Sequence, residues 1–399
     1  MEGLRTAPAG APLSTVEHGA AEKIRKVEEA RRVASSILLH NRAGAGRSSD
    51  PDQMERLRDI GKHSPYTAAV RLGEDRKPTV IGRGTSTVKS AGSAGTSVII
   101  PTRNRAGLIG RAIQSVLAQS MPAHEIIVVD DASTDSTREV VEQIRSPIIR
   151  YEVQSEWRGA AAARNTGLRS ATGEFVAFLD DDDEWLPKKL ELQHAALQGA
   201  PDGTRAVFSG VFVVSGRTNR VEKTWIPHDR PLGLADFLNG CPFGSSIPLL
   251  KQSALIEVGG FDEDLSGSQD RDLFIRLSER SPFIPVRDAL VRYYVHGDQI
   301  TTDLATKIRS TAAIVRKHRS RYLRHPKAHA RQLQRLGMLY CANARHDEGR
   351  ACFEESLAID PSRSESQDHL TRSQRDPESH RRYLVEEAFR SYDGITLFV

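Results

Sequence analysis

Asp180, Asp181, Asp182 and Asp183 form a run of four carboxylates directly after the apolar stretch EFVAFL (174–179). Like charges this close repel, so they must be partly protonated or balanced by a counter-charge. A hard divalent cation suits that purpose: Mg2+ and Mn2+ take oxygen ligands, commonly one or two carboxylates together with a substrate diphosphate. A second use of the run is local. Asp183 or Glu184 would stand just before a helix starting near Pro187, where a carboxylate favours the helix dipole. The two uses are compatible, with Asp180 to Asp182 left for chemistry. Two other acidic groups stand out, Asp130-Asp131 after EIIVV (125–129) and GGFDEDLSGSQDRDLFIRLSE (259–279), which holds Asp262, Glu263, Asp264, Asp270 and Asp272. Read locally, Asp131-Ala-Ser-Thr-Asp135 is a turn with a helix cap at Ser133 or Thr134, and the second group is an acidic helix start with Asp272 as a cap.

These residues need elements to hold them. SVII (97–100), EIIVVD (125–130), IIRYEV (148–153) and EFVAFLD (174–180) read as strands. AGLIGRAIQSVLAQ (106–119), STREVVEQIR (136–145) and AAAARNTGLRSA (160–171) read as helices between them. Uninterrupted apolar strands with helical crossovers predict an α/β fold with a parallel sheet covered on both faces. Ligands of such sheets bind beyond the carboxyl ends of the strands. Pro101-Thr102-Arg103, Asp130-Asp131 and Asp180 to Asp183 all lie at those ends, so three polar clusters converge on one edge.

The stretches SVIIPTRNR, EIIVVDDASTD, ARNTGLRSATGEFVAFLDDDDEW and GGFDEDL…QDRDLFIRL resemble, in order and spacing, a family 2 glycosyltransferase of the GT-A fold over roughly residues 96 to 300. The resemblance implies a mixed, mainly parallel sheet with flanking helices. It implies a nucleotide-sugar donor bordered by Pro101 and Thr102, with Arg103 near base or phosphate and Asp130 or Asp131 reading the base. Arg164 and Asn165 would lie near the nucleotide and its diphosphate. The strand-end Asp-x-Asp maps to Asp180, Asp181 and Asp182, with Asp182 and Asp180 as metal ligands, Asp180 also nearer the ribose, and Asp181 among the donor-binding residues without a defined contact. The base that deprotonates the acceptor maps to Asp270, preceded by Gln269 where the family usually has Glu; this removes a charge, lowers the expected basicity of Asp270 and makes Gln269 an acceptor contact. His296 would return to the metal, an arrangement that suits Mn2+ better than Mg2+. The reaction implied is an inverting displacement.

Residues 1 to 95 read as a low-complexity extension with one amphipathic helix marked by Ile24, Val27, Ala30, Ala34 and Ile37. Residues 96 to 304 form the transferase-like domain, and 305 to 399 a helical region. Within that region, 333 to 362 resemble a single tetratricopeptide hairpin joined at Ala344 to Glu348, which must pack on a neighbour because one unit cannot bury its own face. The polar stretch 363 to 381 reads as mobile. Residues 304 to 331 hold nine Lys or Arg, no acid, and a stripe of Ile308, Ala312, Val315 and Tyr322. That segment fits either a helix packed on the catalytic domain or a peripheral contact with an anionic membrane at the cytoplasmic face, near a lipid-linked acceptor.

Composition narrows the alternatives. With 56 Lys+Arg against 52 Asp+Glu the chain lacks a nucleic-acid footprint. Three unpaired cysteines and no long apolar run predict a cytoplasmic protein. A processive synthase would carry membrane helices and a Gln-x-x-Arg-Trp motif, which Trp157, Trp185 and Trp225 do not supply. A nucleotidyltransferase would open with a Gly-rich loop. A catalytically dead transferase fold serving as an interaction scaffold, or self-associating through its helical extensions, would show degenerate motifs, yet Asp180, Asp182 and Asp270 are all present. The expected acceptor is a saccharide or a lipid-linked one, in polysaccharide or glycoconjugate synthesis.

Overall fold

Four apolar runs form the first strands: β1 (Thr96–Thr102), β2 (Glu125–Asp130), β3 (Ile149–Val153) and β4 (Phe175–Phe178). The computed structural model describes residues 95–296 and 304–391. The amphipathic helix expected over residues 24–37 lies outside them. β3, β2, β1 and β4 pair in parallel in that order, so Thr102 and Asp130 are register partners and the Asp180 run leaves the same edge. Three helices make the crossovers: α1 (Ile109–Leu117), α2 (Thr137–Gln143) and α3 (Ala160–Ser170).

The sheet then becomes mixed. After the two-residue β5 (Glu184–Trp185) and α4 (Lys189–Gln198) come β6 (Ala206–Ser215), β7 (Val221–Trp225), α5 (Leu234–Asn239), β8 (Leu249–Lys251), α6 (Gln252–Glu257), α7 (Gln269–Ser278) and β9 (Phe283–Val295). β8 joins β4 and β6 antiparallel, β9 runs parallel to β6, and β5 closes the far edge on β9. The long β9 therefore ends at His296 beside the Asp180 run.

Helix α3 lies closely on the sheet because Gly167 faces β1 and β2. A Cβ there would stand 2.5 Å from Ile99 Cγ2 and 3.2 Å from Val129 Cγ2. That approach seats Arg164 at the functional edge.

The C-terminal helices are α8 (Leu304–Lys317), α9 (Arg319–Arg324), α10 (Pro326–Ala342), α11 (His346–Ile359), α12 (Ser364–Arg375) and α13 (Pro377–Ser391). Ile314, Val315, Tyr322 and Ala328 belong to the same buried core as the sheet. The stripe of the 304–331 segment is thus spent on the protein interior: Ile308, Val315 and Tyr322 are all buried. The apolar stripe is therefore not available to a membrane, whereas most of the segment's cations are exposed. Nor is the segment one helix, because it breaks at His318 and again before Pro326. The polar 363–381 stretch also departs from expectation: it forms α12 and the start of α13, burying Ser366, His369, Leu370 and Ser373.

Candidate active site

Each carboxylate of the run is tied to a different element. Arg164 Nη2 on α3 donates to Asp180 Oδ1 at 2.5 Å, and Ser245 Oγ reaches the same oxygen at 3.2 Å. Thr102 at the end of β1 donates its hydroxyl to Asp181 Oδ2 at 2.7 Å, with Arg105 Nε 3.9 Å from Oδ1. His296 Nε2 lies 2.9 Å from Asp182 Oδ2. Asp183 accepts from Ser246 Oγ at 2.6 Å and from the Tyr294 amide at 3.3 Å. The repulsion read from the sequence is therefore met in part by donors from the protein itself. It still shows in the titration: burial and the charge of Asp182 push Asp181 up to about 7. Burial also raises Asp182 and Asp183, with Asp180 adding to the former and Asp182 to the latter.

The expected helix-capping role of Asp183 and Glu184 does not hold. Helix α4 starts at Lys189 without a side-chain cap, Asp183 is buried, and Glu184 sits in β5 accepting from Tyr294 Oη and Arg292. Asp183 instead locks the run to the Ser246 loop and to β9.

On the second strand, Asp130 accepts from the Ser133 amide and the Tyr151 hydroxyl, while Asp131 accepts from the amides of Arg158 and Gly159 at 2.8 and 2.7 Å. Both acids organise the loops around the edge. Neither Ser133 nor Thr134 caps the following helix, whose N-cap position is Ser136 without a side-chain bond; Asp135, one residue earlier, accepts from the Thr137 amide at 3.0 Å. Pro101 is buried in β1, whereas Arg103 is exposed and lies 5.0 Å from the ring centre of the exposed Trp157. Asn165 does not face the edge. Its amide bonds Phe261 O, the Phe261 amide and Glu263, closing the 259–263 turn against α3, so a direct donor contact from this side chain finds no support in the geometry. Gly260 permits the closure, with φ at 69° and its Cβ position only 2.5 Å from Asn165 Oδ1.

Asp270 stands in the first turn of α7, where the Arg271 amide donates to Oδ1 at 2.8 Å. A Cβ on Gly244 would be 3.6 Å from Asp270 Oδ2, while the adjacent Ser245 bonds Asp180, so the 244–245 segment links the two carboxylates. Burial raises the Asp270 pKa, opposed by the charge of Arg164. Gln269 donates to Leu265 O at 2.7 Å, inside its own turn. Asp272 is no helix cap: it is fully buried and paired with Arg276, Lys317 and His318.

Sequence reading missed Ser245, Ser246, Arg111 and Arg105. Arg111 on α1 donates to Asp182 O and stacks on Tyr294, 3.8 Å from the ring centre. The CPFGSSIP loop carries no motif that would mark its serines. Several buried polar atoms near this edge lack a protein partner, namely Nε of Arg111 and of Arg164 and both amide atoms of Gln154.

Residues 97–259 match the model of Glycosyl transferase family 2. Over 192 residues the chain is 33% identical to the GalNAc(5)-diNAcBac-PP-undecaprenol beta-1,3-glucosyltransferase of Campylobacter jejuni, covering 47% of this chain and 60% of that protein. It is 43% identical over 97 residues to the UDP-Glc:alpha-D-GlcNAc-diphosphoundecaprenol beta-1,3-glucosyltransferase WfgD of Escherichia coli, covering 24% and 38%. The match thus spans less than two thirds of either relative. Among solved structures, S. aureus TarS 1–349 superposes with a TM-score of 0.51 at 19% identity, over 74% of this chain and 91% of that one. The fold is GT-A, as the motif order implied.

Proposed function

We propose that this chain is a glycosyltransferase that moves a sugar from a nucleotide-diphosphate donor to an acceptor hydroxyl, inverting the anomeric centre. The observation that carries the reading is the gathering of Asp180, Arg164 and Asp270 around the 244–245 segment at the carboxyl edge of a GT-A sheet, with Asp182 two residues from Asp180 and 2.9 Å from His296 Nε2. Arg164 with its unpartnered buried Nε supplies positive charge for a diphosphate. Thr102, Arg103, Asp130 and Asp131 border the nucleotide from β1 and β2. Asp270 takes the proton of the acceptor hydroxyl. The freed oxygen bonds the anomeric carbon while the opposite carbon–oxygen bond breaks, its electron pair leaving on the nucleoside diphosphate.

Among the described residues no three His, Cys, Asp or Glu side chains are arranged as a metal cage. The donor set nevertheless fits a hard divalent cation, since Asp180 and Asp182 stand two residues apart in one carboxylate run and His296 Nε2 lies 2.9 Å from Asp182 Oδ2. Asp182, Asp180 and His296 would hold Mn2+ or Mg2+, which when bound neutralises charge on the departing diphosphate. Both named relatives are glucosyltransferases whose names specify an undecaprenol-diphosphate-linked saccharide. A lipid-linked saccharide is accordingly the acceptor class proposed here, and cell-surface glycan synthesis the setting. The α10–α11 pair is proposed as a tetratricopeptide-like unit whose open face is covered by α8, α12 and α13 rather than by a separate protein.

A thermal-shift screen of UDP-glucose, UDP-N-acetylglucosamine and GDP-mannose, each with and without Mn2+, tests the donor. The true donor raises the melting temperature because it binds only the folded state. Turnover must release nucleoside diphosphate; pyrophosphate would indicate nucleotidyl transfer instead. Asp270→Asn is expected to lower kcat by about 10²–10⁴-fold, the usual contribution of a positioned base, with donor affinity retained. Full activity in that variant refutes the assignment of the base. As burial raises the Asp270 pKa and a base acts only when deprotonated, the acid limb of the rate profile is expected to be displaced upward from that of an exposed aspartate.

A further inference from the structure

The proposed base lies in the first turn of a helix whose N-cap residue makes no side-chain capping bond. Ser268 precedes it in the left-handed region, φ 57°, with no side-chain cap. The next two residues are held from behind by the C-terminal helices. Arg271, 6% exposed, donates to Phe237 O at 3.1 Å, Leu238 O at 2.8 Å, Gln332 Oε1 at 2.9 Å and Tyr322 Oη at 3.0 Å. Tyr322 and Gln332 in turn donate to Leu238 O and Asn239 O at 3.1 and 2.7 Å, so α9 and α10 close over the same end of α5. The Arg271 charge is thus met by carbonyls at the negative end of α5 instead of by a carboxylate. Asp272 lies 2.8 Å from His318 Nε2 and 2.7 Å from Lys317 Nζ, and Lys317 also holds Asp262.

Successive helix residues are about 100° apart in azimuth, so fixing the two after Asp270 fixes the direction in which Asp270 points. We infer that Arg271 and Asp272 are positioning residues for the proposed base, clamped by Tyr322, Gln332 and His318, and that the C-terminal helices thereby set the geometry of transfer. The inference rests on the reading of Asp270 as the base. It gives the helices after residue 304 a task inside the reaction.

The test compares Arg271→Lys, which keeps the charge and loses the fork, with Tyr322→Phe, which removes one hydroxyl and keeps the packed ring. Glu125→Gln, at the opposite end of β2, serves as a variant destabilised away from α7. Turnover of UDP-glucose or UDP-N-acetylglucosamine is followed together with hydrogen exchange on the whole chain. A slightly misdirected base is expected to lower kcat by ~10–100-fold in Arg271→Lys and several-fold in Tyr322→Phe. The donor KM should stay within about twofold, because ground-state binding is untouched. Amides of residues 268–272 should exchange faster while those of β1 and β2 keep their protection. If both variants lose stability as Glu125→Gln does, yet retain kcat and the protection of 268–272, they are ordinary core contacts and the inference falls. If Asp270→Asn turns over at the parent rate, the base reading fails instead, and the exchange of 268–272 still reports whether the clamp holds that turn.

Discussion

Asp130, Asp131, Asp180, Asp181 and Asp183 share a feature that the residue types alone do not reveal: each is fastened by donors from another segment. Their placement was legible, because acids at the ends of apolar runs can only gather at one edge of a parallel sheet. Their internal partners were not, since Ser246, Tyr151 and Thr102 are distant in sequence and carry no pattern. Glu125 at the start of β2 shows the same principle away from the site. It accepts from Ser97 and Thr172 hydroxyls at 2.7 and 2.6 Å, from the Thr172 amide at 2.7 Å and from Arg150 at 2.8 Å. Burial alone would raise its pKa, but the donors lower it to about 2. A depressed folded-state pKa gives stability that is complete above the unfolded value near 4.5 and is lost as pH falls through the folded one. Glu125→Gln is therefore expected to cost about 1–2 kcal/mol at pH 7, after allowance for solvent screening. The difference from the parent should shrink below about pH 4, as read by urea denaturation at several pH values. An equal cost at pH 7 and pH 3 would show that shape, not charge, is what Gln lacks.

At the scale of elements, the first half of the sheet was readable because its strands are continuous apolar runs that fit no helix period. Helix α12 escaped because its buried stripe is Ser366, His369, Leu370 and Ser373, which follows helical spacing with one apolar residue. The break before α10 had a signal in Pro326, which sits at the first position of that helix. Glycines decide how closely elements meet. Gly167→Ala would gain up to about 1 kcal/mol of helix propensity. The added methyl would press on Ile99 and Val129, both fully buried, at a cost of roughly 1–3 kcal/mol for overpacking. The expected net effect is a lower denaturation midpoint, larger in Gly167→Val, with α3 displaced from the sheet. A midpoint equal to or above the parent's would mean that the sheet yields without loss.

At the scale of the whole molecule, α8, α9 and the start of α10 share the core of the transferase-like part, while the later helices pack around smaller clusters of their own. The sequence suggested a boundary near residue 304, where strands give way to helices. Composition cannot show that Ile314, Val315, Tyr322 and Ala328 fill the same interior as Phe237, Phe243 and Phe274. Some charges of this region pair with the transferase-like part: Lys317 bridges Asp262 and Asp272, and Arg321 and Arg324 both pair with Glu279. Two shortened chains separate a shared core from an appended domain. A chain ending at residue 303 removes those four apolar side chains, uncovers the face of the core they fill, and takes from Arg271 its bonds to Tyr322 and Gln332 and from Asp272 its bonds to Lys317 and His318. It is expected to lose cooperative unfolding, monitored by circular dichroism and limited proteolysis. In the full chain, Tyr322→Ala should cost about 3–5 kcal/mol, the range for deleting a large buried aromatic ring, whereas Tyr322→Phe should cost about 1 kcal/mol. Should the chain ending at 303 unfold cooperatively at the parent midpoint, the core of residues 95–296 is sufficient by itself, and the contacts made by α8 to α10 are additions to a finished domain.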